Sequence, residues 1–394
     1  MFDIISLKNG LENVDGFCFG GVNAGFKKDS NDLGFIRSDE AYDVSAVFTN
    51  NKFKAAPIRH FLNYPKNFKT NFILLNSKNA NAMTGQNGID DINFIFENLS
   101  QKINLINPIM SSTGVIGYRL DNAKIISAFD KMDFNSKDSN GVAKAIMTTD
   151  SFKKELAFRV ELENGGYFNV AAICKGAGMI NPAFATMLCF ILTDANVPKE
   201  DMDEILFGSV KHSFNAISVD GDTSTNDTLM LLTSRKTEFY DKVAFREVIN
   251  LITKQMALYL VQDGEGSKKV VSFSVSGAKN DEEAEIAAKA LSNSLLVKTA
   301  IFGEDPNWGR IASTIGASKV ECKEENLVIK YDEVVVFSKD LPQLDEQREN
   351  LAHNIMKKSS YKISCDLGIG EGKFETYGCD LGHKYVDINS DYRS

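Results

Sequence analysis

Between Leu156 and Ile173 the chain writes out an antiparallel hairpin. Leu156, Phe158, Val160 and Leu162 alternate with Ala157, Arg159 and Glu161, the period of a strand with one buried face. Asn164-Gly165-Gly166 then supplies a tight turn, and Tyr167 to Ile173 returns as the partner strand. Such a hairpin must be covered on its apolar side, so the chain has to supply a second layer. The same period recurs at Val271, Phe273 and Val275, and at Tyr361, Ile363, Cys365 and Leu367. Helical spacing is equally plain elsewhere. Phe245, Val248, Ile249, Ile252, Met256 and Leu260 share one helical face, with Gly264 as the stop. Asn280 and Glu283 form a capping-box pattern that opens a helix through Leu291, and Leu344 to Lys357 also reads as helix. Strands and helices do not alternate regularly, as a doubly wound fold would require. The class is therefore α+β with largely antiparallel sheets.

The 394 residues are 43% hydrophobic and carry a net charge of −9, with a pI near 5.2. An acidic chain without a Lys/Arg block is poorly suited to nucleic acid or to an anionic membrane. The start, MFDIISLKNG, lacks the cationic and apolar regions of a signal peptide. No apolar run approaches the ~18 residues of a membrane-spanning helix. Six scattered cysteines without a C-x-x-C pair fit reduced thiols in the cytoplasm. His60, His212, His353 and His383 lie far apart, with no metal-ligand spacing. The nucleophile elbow, the phosphate-binding loop and the zinc-protease helix motif are absent. Gly368 to Gly372 is glycine-rich but wrongly spaced for a dinucleotide site, and reads as a turn or bulge.

The segment KGAGMINPAFATMLCFILTDA, from Lys175, carries more chemistry. Thr186 follows the small Ala185. Cutting the bond between them would give Thr186 a free α-amine, with a pKa of about 7.7–8.0, which can take the hydroxyl proton. The residue would then hold nucleophile and base together. The plainer reading is a helix threonine packed among Met187, Leu188, Phe190 and Ile191. Acyl transfer also needs donors for an oxyanion. Ser111-Ser112-Thr113-Gly114, after the apolar stretch Ile103 to Met110, reads as a loop following a strand. The Thr113 hydroxyl and the Gly114 amide suit that task, although the same four residues also make an ordinary turn.

Taken together, SSTGVIG at Ser111, AIMTTD at Ala145, the Lys175 segment, DGEG at Asp263, TAIFGEDPNWGRI at Thr299 and YVDINSDYRS at the end resemble the ornithine acetyltransferase (glutamate N-acetyltransferase, ArgJ) family. The matching segments extend from the first third of the chain to its last residue. The resemblance implies an αββα-type sandwich like that of N-terminal-nucleophile hydrolases. It implies self-cleavage at Ala185-Thr186 into an α piece, 1–185, and a β piece, 186–394, assembled as a heterotetramer of two of each. It implies that Thr186 takes acetyl from N-acetylornithine and passes it to glutamate, with no cofactor or metal. Some members of the family also use acetyl-CoA, and no short motif separates the two kinds.

By the same resemblance Thr113 and Gly114 form the oxyanion hole. Thr149, Lys175, Thr186, Glu265, Asn389 and Ser394 bind substrate, with Thr148 an adjacent alternative to Thr149. Lys175 suits an anionic end and Glu265 an ammonium. Three positions depart from the family pattern: Ala177 where serine is common, Asn181 where histidine is frequent, and Ser111 where cysteine is frequent. Trp308, the single tryptophan, reads as a core or interface anchor. Two rival functions remain open at this point. One is a self-cleaving aminopeptidase of the same fold, with water as acceptor. The other is an uncleaved binding protein.

Overall fold

The computed structural model describes residues 1–163, 165–181 and 187–390. Its larger sheet runs β1 (Phe2–Leu7), β6 (Lys154–Leu162), β7 (Tyr167–Lys175), β8 (Leu188–Thr193), β10 (Thr228–Thr233), β3 (Leu33–Phe48), β4 (Lys69–Asn76) and β5 (Ile109–Ser112), with β2 (Cys18–Val22) also paired to β3. The predicted hairpin is β6 and β7, in register from Lys154 opposite Cys174 to Glu161 opposite Tyr167. Asn164 of its turn lies outside the described residues.

The 16-residue strand β3 turns this sheet into a sandwich. Its first part, Leu33 to Arg37, pairs with β2 and β4. Its last part, Val44 to Phe48, pairs with β10. A register irregularity between Arg37 and Tyr42 separates the two parts. Side-chain alternation then sorts residues into layers. Ile73, Leu75 and Ile109 from one half pack in a single cluster with Ile173, Leu188, Phe190 and Met230 from the other. On the outer side of the first half, Phe35, Phe72, Leu74 and Met110 meet α1 (Ala56–Leu62), α2 (Gly85–Ser100) and α3 (Asn122–Ala128). On the outer side of the second, Val160, Val170, Cys189 and Ile191 meet α5 (Lys199–Val210) and α6 (Lys242–Gln262). The order is helix, sheet, sheet, helix. A further helix, α4 (Ser139–Ile146), adds Val142, Ala143 and Ile146 to the inner layer.

The helix reading of Met187 to Ile191 is corrected here. Leu188 to Thr193 is a strand, antiparallel to β7 and parallel to β10. Leu188, Phe190 and Leu192 fill the inner layer, while Cys189 and Ile191 fill the outer one. A strand buried on both faces has no polar side, so it shows no period of two.

The second sheet runs β13 (Val334–Phe337), β12 (Val328–Tyr331), β14 (Ser360–Asp366), β11 (Val270–Ala278), β15 (Gly372–Cys379) and β9 (Ile217–Ser218). Its apolar face, with Val271, Phe273, Val275, Ile363 and Cys365, is covered by α7 (Asp281–Asn293), α8 (Leu295–Phe302), α9 (Trp308–Ala317) and α10 (Glu346–Met356). Ser272, Ser274, Lys362 and Ser364 occupy the alternate positions, as the sequence period requires. The Asn280 side chain caps α7 through the Glu283 N–H at 2.9 Å. Trp308 stacks on Phe337, with ring centroids 4.4 Å apart, at the edge of this core. Among the described residues, nine strand pairings across both sheets are antiparallel and four are parallel, the largely antiparallel α+β arrangement expected. A last helix, α11 (His383–Ser390), buries none of its residues.

Candidate active site

A cavity of about 260 Å³ opens where the ends of β5, β7 and β10 meet α11. Thr113, Gly114, Thr148, Thr149, Lys175, Glu265 and Asn389 all line it. These residues are spread from position 113 to position 389, and the fold brings them to one place. Both threonines of the ambiguous pair face the cavity. Ala185, Thr186 and Ser394 lie outside the described residues.

The Ser-Ser-Thr-Gly turn is held by backbone. The Thr113 N–H donates to the Asn76 carbonyl at 3.0 Å and the Val115 N–H to that of Lys78 at 3.2 Å. Gly114 between them has φ +132°, and a Cβ built there would lie 2.2 Å from the Lys78 carbonyl carbon. Only glycine fits. Among the described residues, the Gly114 N–H has no hydrogen-bond acceptor, and it lines the cavity beside Thr113. A carbonyl oxygen gaining charge there can take both donors. Ser111 lies in β5, its buried hydroxyl without a hydrogen-bond partner among the described residues.

Lys175 ends β7 and is 2% exposed. Burial lowers its pKa, opposed by the charges of Asp150 and Asp227. Its amino group stands at the cavity wall, where a substrate carboxylate can pair with its protonated form. Ala177, next in the same loop, accepts the Glu265 N–H at 2.9 Å. The Glu265 carboxylate in turn accepts from Asn389 Nδ2 at 2.7 Å. The Tyr385 hydroxyl reaches Asp220 at 3.2 Å, so α11 is tied to the cavity at two points. Asp220 also accepts the N–H groups of Met179 and Ile180, at 2.6 and 2.9 Å. Asn181 lies beyond this loop and contacts Thr223 and Asn293.

Two groups of residues escaped the sequence reading. The stretch from Ser224 to Asp227 supplies a cavity wall and its supports. Asn226 Nδ2 donates to the carbonyls of Ala80 and Ser112, at 2.7 and 2.8 Å. Asp227 is fully buried and accepts the Met187 N–H at 3.0 Å. Burial pushes its carboxyl well above the ordinary carboxylate range. In sequence the run DGDTSTNDT looks like any polar turn. The second group is an ionic cluster of Asp150, Lys154 and Asp263. Its two aspartates stand in motifs quoted above, but nothing in the spacing marks Lys154.

Residues 18–394 match the ArgJ family model. A relative from Wolinella succinogenes, named arginine biosynthesis bifunctional protein ArgJ, is 52% identical over 396 aligned positions and covers 100% of both chains. One of the same name from Caldanaerobacter subterraneus is 37% identical and covers 98% of each. A crystal structure of arginine biosynthesis bifunctional protein ArgJ from Bacillus halodurans is 36% identical, covering 52% of this chain and 98% of that one, with a TM-score of 0.48.

Proposed function

This chain belongs to the ArgJ family, and on that premise we propose that it is an acetyltransferase of arginine biosynthesis that moves acetyl from N-acetylornithine to glutamate. The observation that carries the proposal is the convergence of Thr113, Gly114, Thr149, Lys175, Glu265 and Asn389 on one cavity. These are the described residues among those that the family pattern assigns to the oxyanion hole and the substrate.

The chemistry runs through Thr186. Its hydroxyl attacks the Ala185 carbonyl, the peptide C–N bond breaks, and the nitrogen takes up the hydroxyl proton. Water then hydrolyses the resulting ester, leaving a fragment of residues 1–185 and one of 186–394. The freed α-amine next accepts the Thr186 hydroxyl proton as the oxygen attacks the acetyl carbonyl of N-acetylornithine. The Thr113 hydroxyl and the Gly114 N–H hold the oxyanion. The C–N bond of the substrate breaks, ornithine leaves with the proton, and acetyl-Thr186 remains. The amine of glutamate takes the acetyl group by the reverse path.

Lys175 pairs the substrate carboxylate and Glu265 the far ammonium of ornithine, while Asn389 and Ser394 close the cavity. The bifunctional name of the 52% identical relative supports acetyl-CoA as a second donor. The two fragments assemble as a heterotetramer of two α and two β pieces, in the cytoplasm. Among the described residues, no helix is long and apolar enough to cross a membrane.

The test combines the denatured mass of the purified protein with ornithine release from N-acetylornithine. Expected are two fragments split at Ala185-Thr186, an uncut Thr186→Ala variant, and release that depends on glutamate. Release that ignores glutamate would point to a hydrolase. An uncut and inactive wild type would overturn the proposal.

A further inference from the structure

Behind the cavity wall lies a fully buried ionic cluster. Lys154, the first residue of β6, is 0% exposed. Its ammonium lies 2.6 Å from Asp150 and 2.5 Å from Asp263, and 4.8 Å from the Phe152 ring centroid. Burial alone would favour its neutral form, but the two carboxylates outweigh that and raise its pKa. Desolvation opposes ionisation of the Asp150 carboxyl, but the Lys154 and Lys175 charges, with the hydrogen bonds from Lys154 and Gly176, outweigh it and hold the pKa below its ordinary value.

The two carboxylates also accept from backbone on and beside the cavity loops. Asp150 accepts the Thr148 N–H at 2.9 Å and the Gly176 N–H at 2.7 Å. Asp263 accepts the Ser151 N–H at 3.0 Å and the Ser151 hydroxyl. Asp263 caps the C-terminal end of α6, two residues before Glu265. One lysine therefore fastens three separate segments: the Thr148-Thr149 loop, the turn after Lys175, and the turn that presents Glu265.

We propose that Asp150, Lys154 and Asp263 are positioning residues for the substrate, a clasp that sets the spacing between the Lys175 end and the Glu265 end of the cavity. The proposal rests on the acetyltransferase reading and deepens it. Asp150 and Lys154 precede residue 185 and Asp263 follows it, so the clasp also spans the two fragments of the cleaved protein. Burial makes it rigid. An ammonium with no water access cannot exchange partners without leaving two carboxylates unpaired in a medium of low dielectric. A site for an amino acid with charged groups at both ends needs that fixed distance more than it needs added charge, since placement errors of about 1 Å are costly.

The experiment compares wild type, Asp263→Asn and Ser151→Ala. Each is measured for fragment masses, melting temperature, and kcat and KM with N-acetylornithine and glutamate. Asp263→Asn keeps the size of the side chain but removes one carboxylate from Lys154. Ser151 is exposed, so Ser151→Ala loosens only the seam and folds regardless. Expected are complete cleavage in both, KM for both substrates raised about tenfold in Asp263→Asn and about threefold in Ser151→Ala, and kcat within about threefold of wild type. A lowered melting temperature with unchanged KM in both variants would reduce the cluster to a structural ion pair and overturn the proposal. Absence of glutamate-dependent release in the wild type would instead strike the acetyltransferase reading itself.

Discussion

Gly114 offers the sharpest test of the oxyanion geometry. An alanine there must adopt φ +132°, a region that L-residues rarely enter, and its Cβ would lie 2.2 Å from the Lys78 carbonyl carbon and 2.5 Å from the Asn79 nitrogen. Ordinary contact begins at 3.4 Å, so the shortfall is 3.4 − 2.2 = 1.2 Å. The obstacle is backbone, so no rotamer change relieves it, and the turn itself must move by about that distance. The Gly114 N–H then leaves its position by about 1 Å, which removes one donor from the proposed oxyanion hole. Losing one such donor costs about 10²–10³ in kcat, or roughly 3–4 kcal/mol. Gly117, in the same motif, is the matched control. It too has positive φ, +97°, but a Cβ there meets nothing within 4 Å. Gly117→Ala should cost only about 1–2 kcal/mol of backbone strain in stability and leave kcat within about threefold. The assay is steady-state ornithine release with glutamate as acceptor, beside the fragment masses. Gly114→Ala should slow both self-cleavage and transfer. A Gly114→Ala enzyme within threefold of wild type in both would refute the argument. So would a Gly117→Ala enzyme equally impaired, because backbone strain in the loop would then explain both.

Other expectations follow from individual contacts. Glu265→Gln keeps the Asn389 contact but loses the charge; a charge-assisted hydrogen bond of about 1.5–3 kcal/mol predicts a KM for N-acetylornithine raised about 10–100-fold, and an unchanged KM would argue against Glu265 as the ammonium partner. Deleting residues 386–394 removes Asn389 from a helix that buries nothing, so KM should rise while the melting temperature stays close to wild type; normal kinetics would dissociate this end from the site. Ser111→Ala removes a buried hydroxyl without a hydrogen-bond partner among the described residues, and the unfolding free energy from urea denaturation should rise by about 1 kcal/mol. Lys254, whose pKa is lowered by burial to about 8, is charged in the fold only at a cost. Because the native state releases this proton before the unfolded chain does, its penalty is full below about pH 8 and fades as pH rises toward ~10. Lys254→Met should therefore be more stable than wild type at pH 7, with the gap closing between pH 8 and 10 in chemical denaturation; a gap that does not change with pH would exclude the charge as the cause.

What the sequence determined alone was whatever depends on a few neighbouring residues. The alternation from Leu156 to Leu162 and from Val271 to Val275 fixes strands, because side chains on a pleated ribbon point alternately to two environments. The Phe245-to-Leu260 stripe and the Asn280 cap fix α6 and the start of α7 for equally local reasons. The glycine after Thr113 foretold a flexible backbone there, and the long motifs pointed to the family. The tertiary structure decided what depends on partners far along the chain. The apolar run after Met187 became a strand because β7 and β10 flank it, and the run itself is compatible with either state. The irregularity in β3 folds one sheet into two layers, and nothing in Arg37 to Tyr42 announces it. The burial of Lys154 between Asp150 and Asp263 is likewise invisible in sequence, where a lysine is by default a solvated charge. Its partners lie 4 and 109 residues away. Only the packing of α6 against the start of β6 places that charge behind the cavity wall.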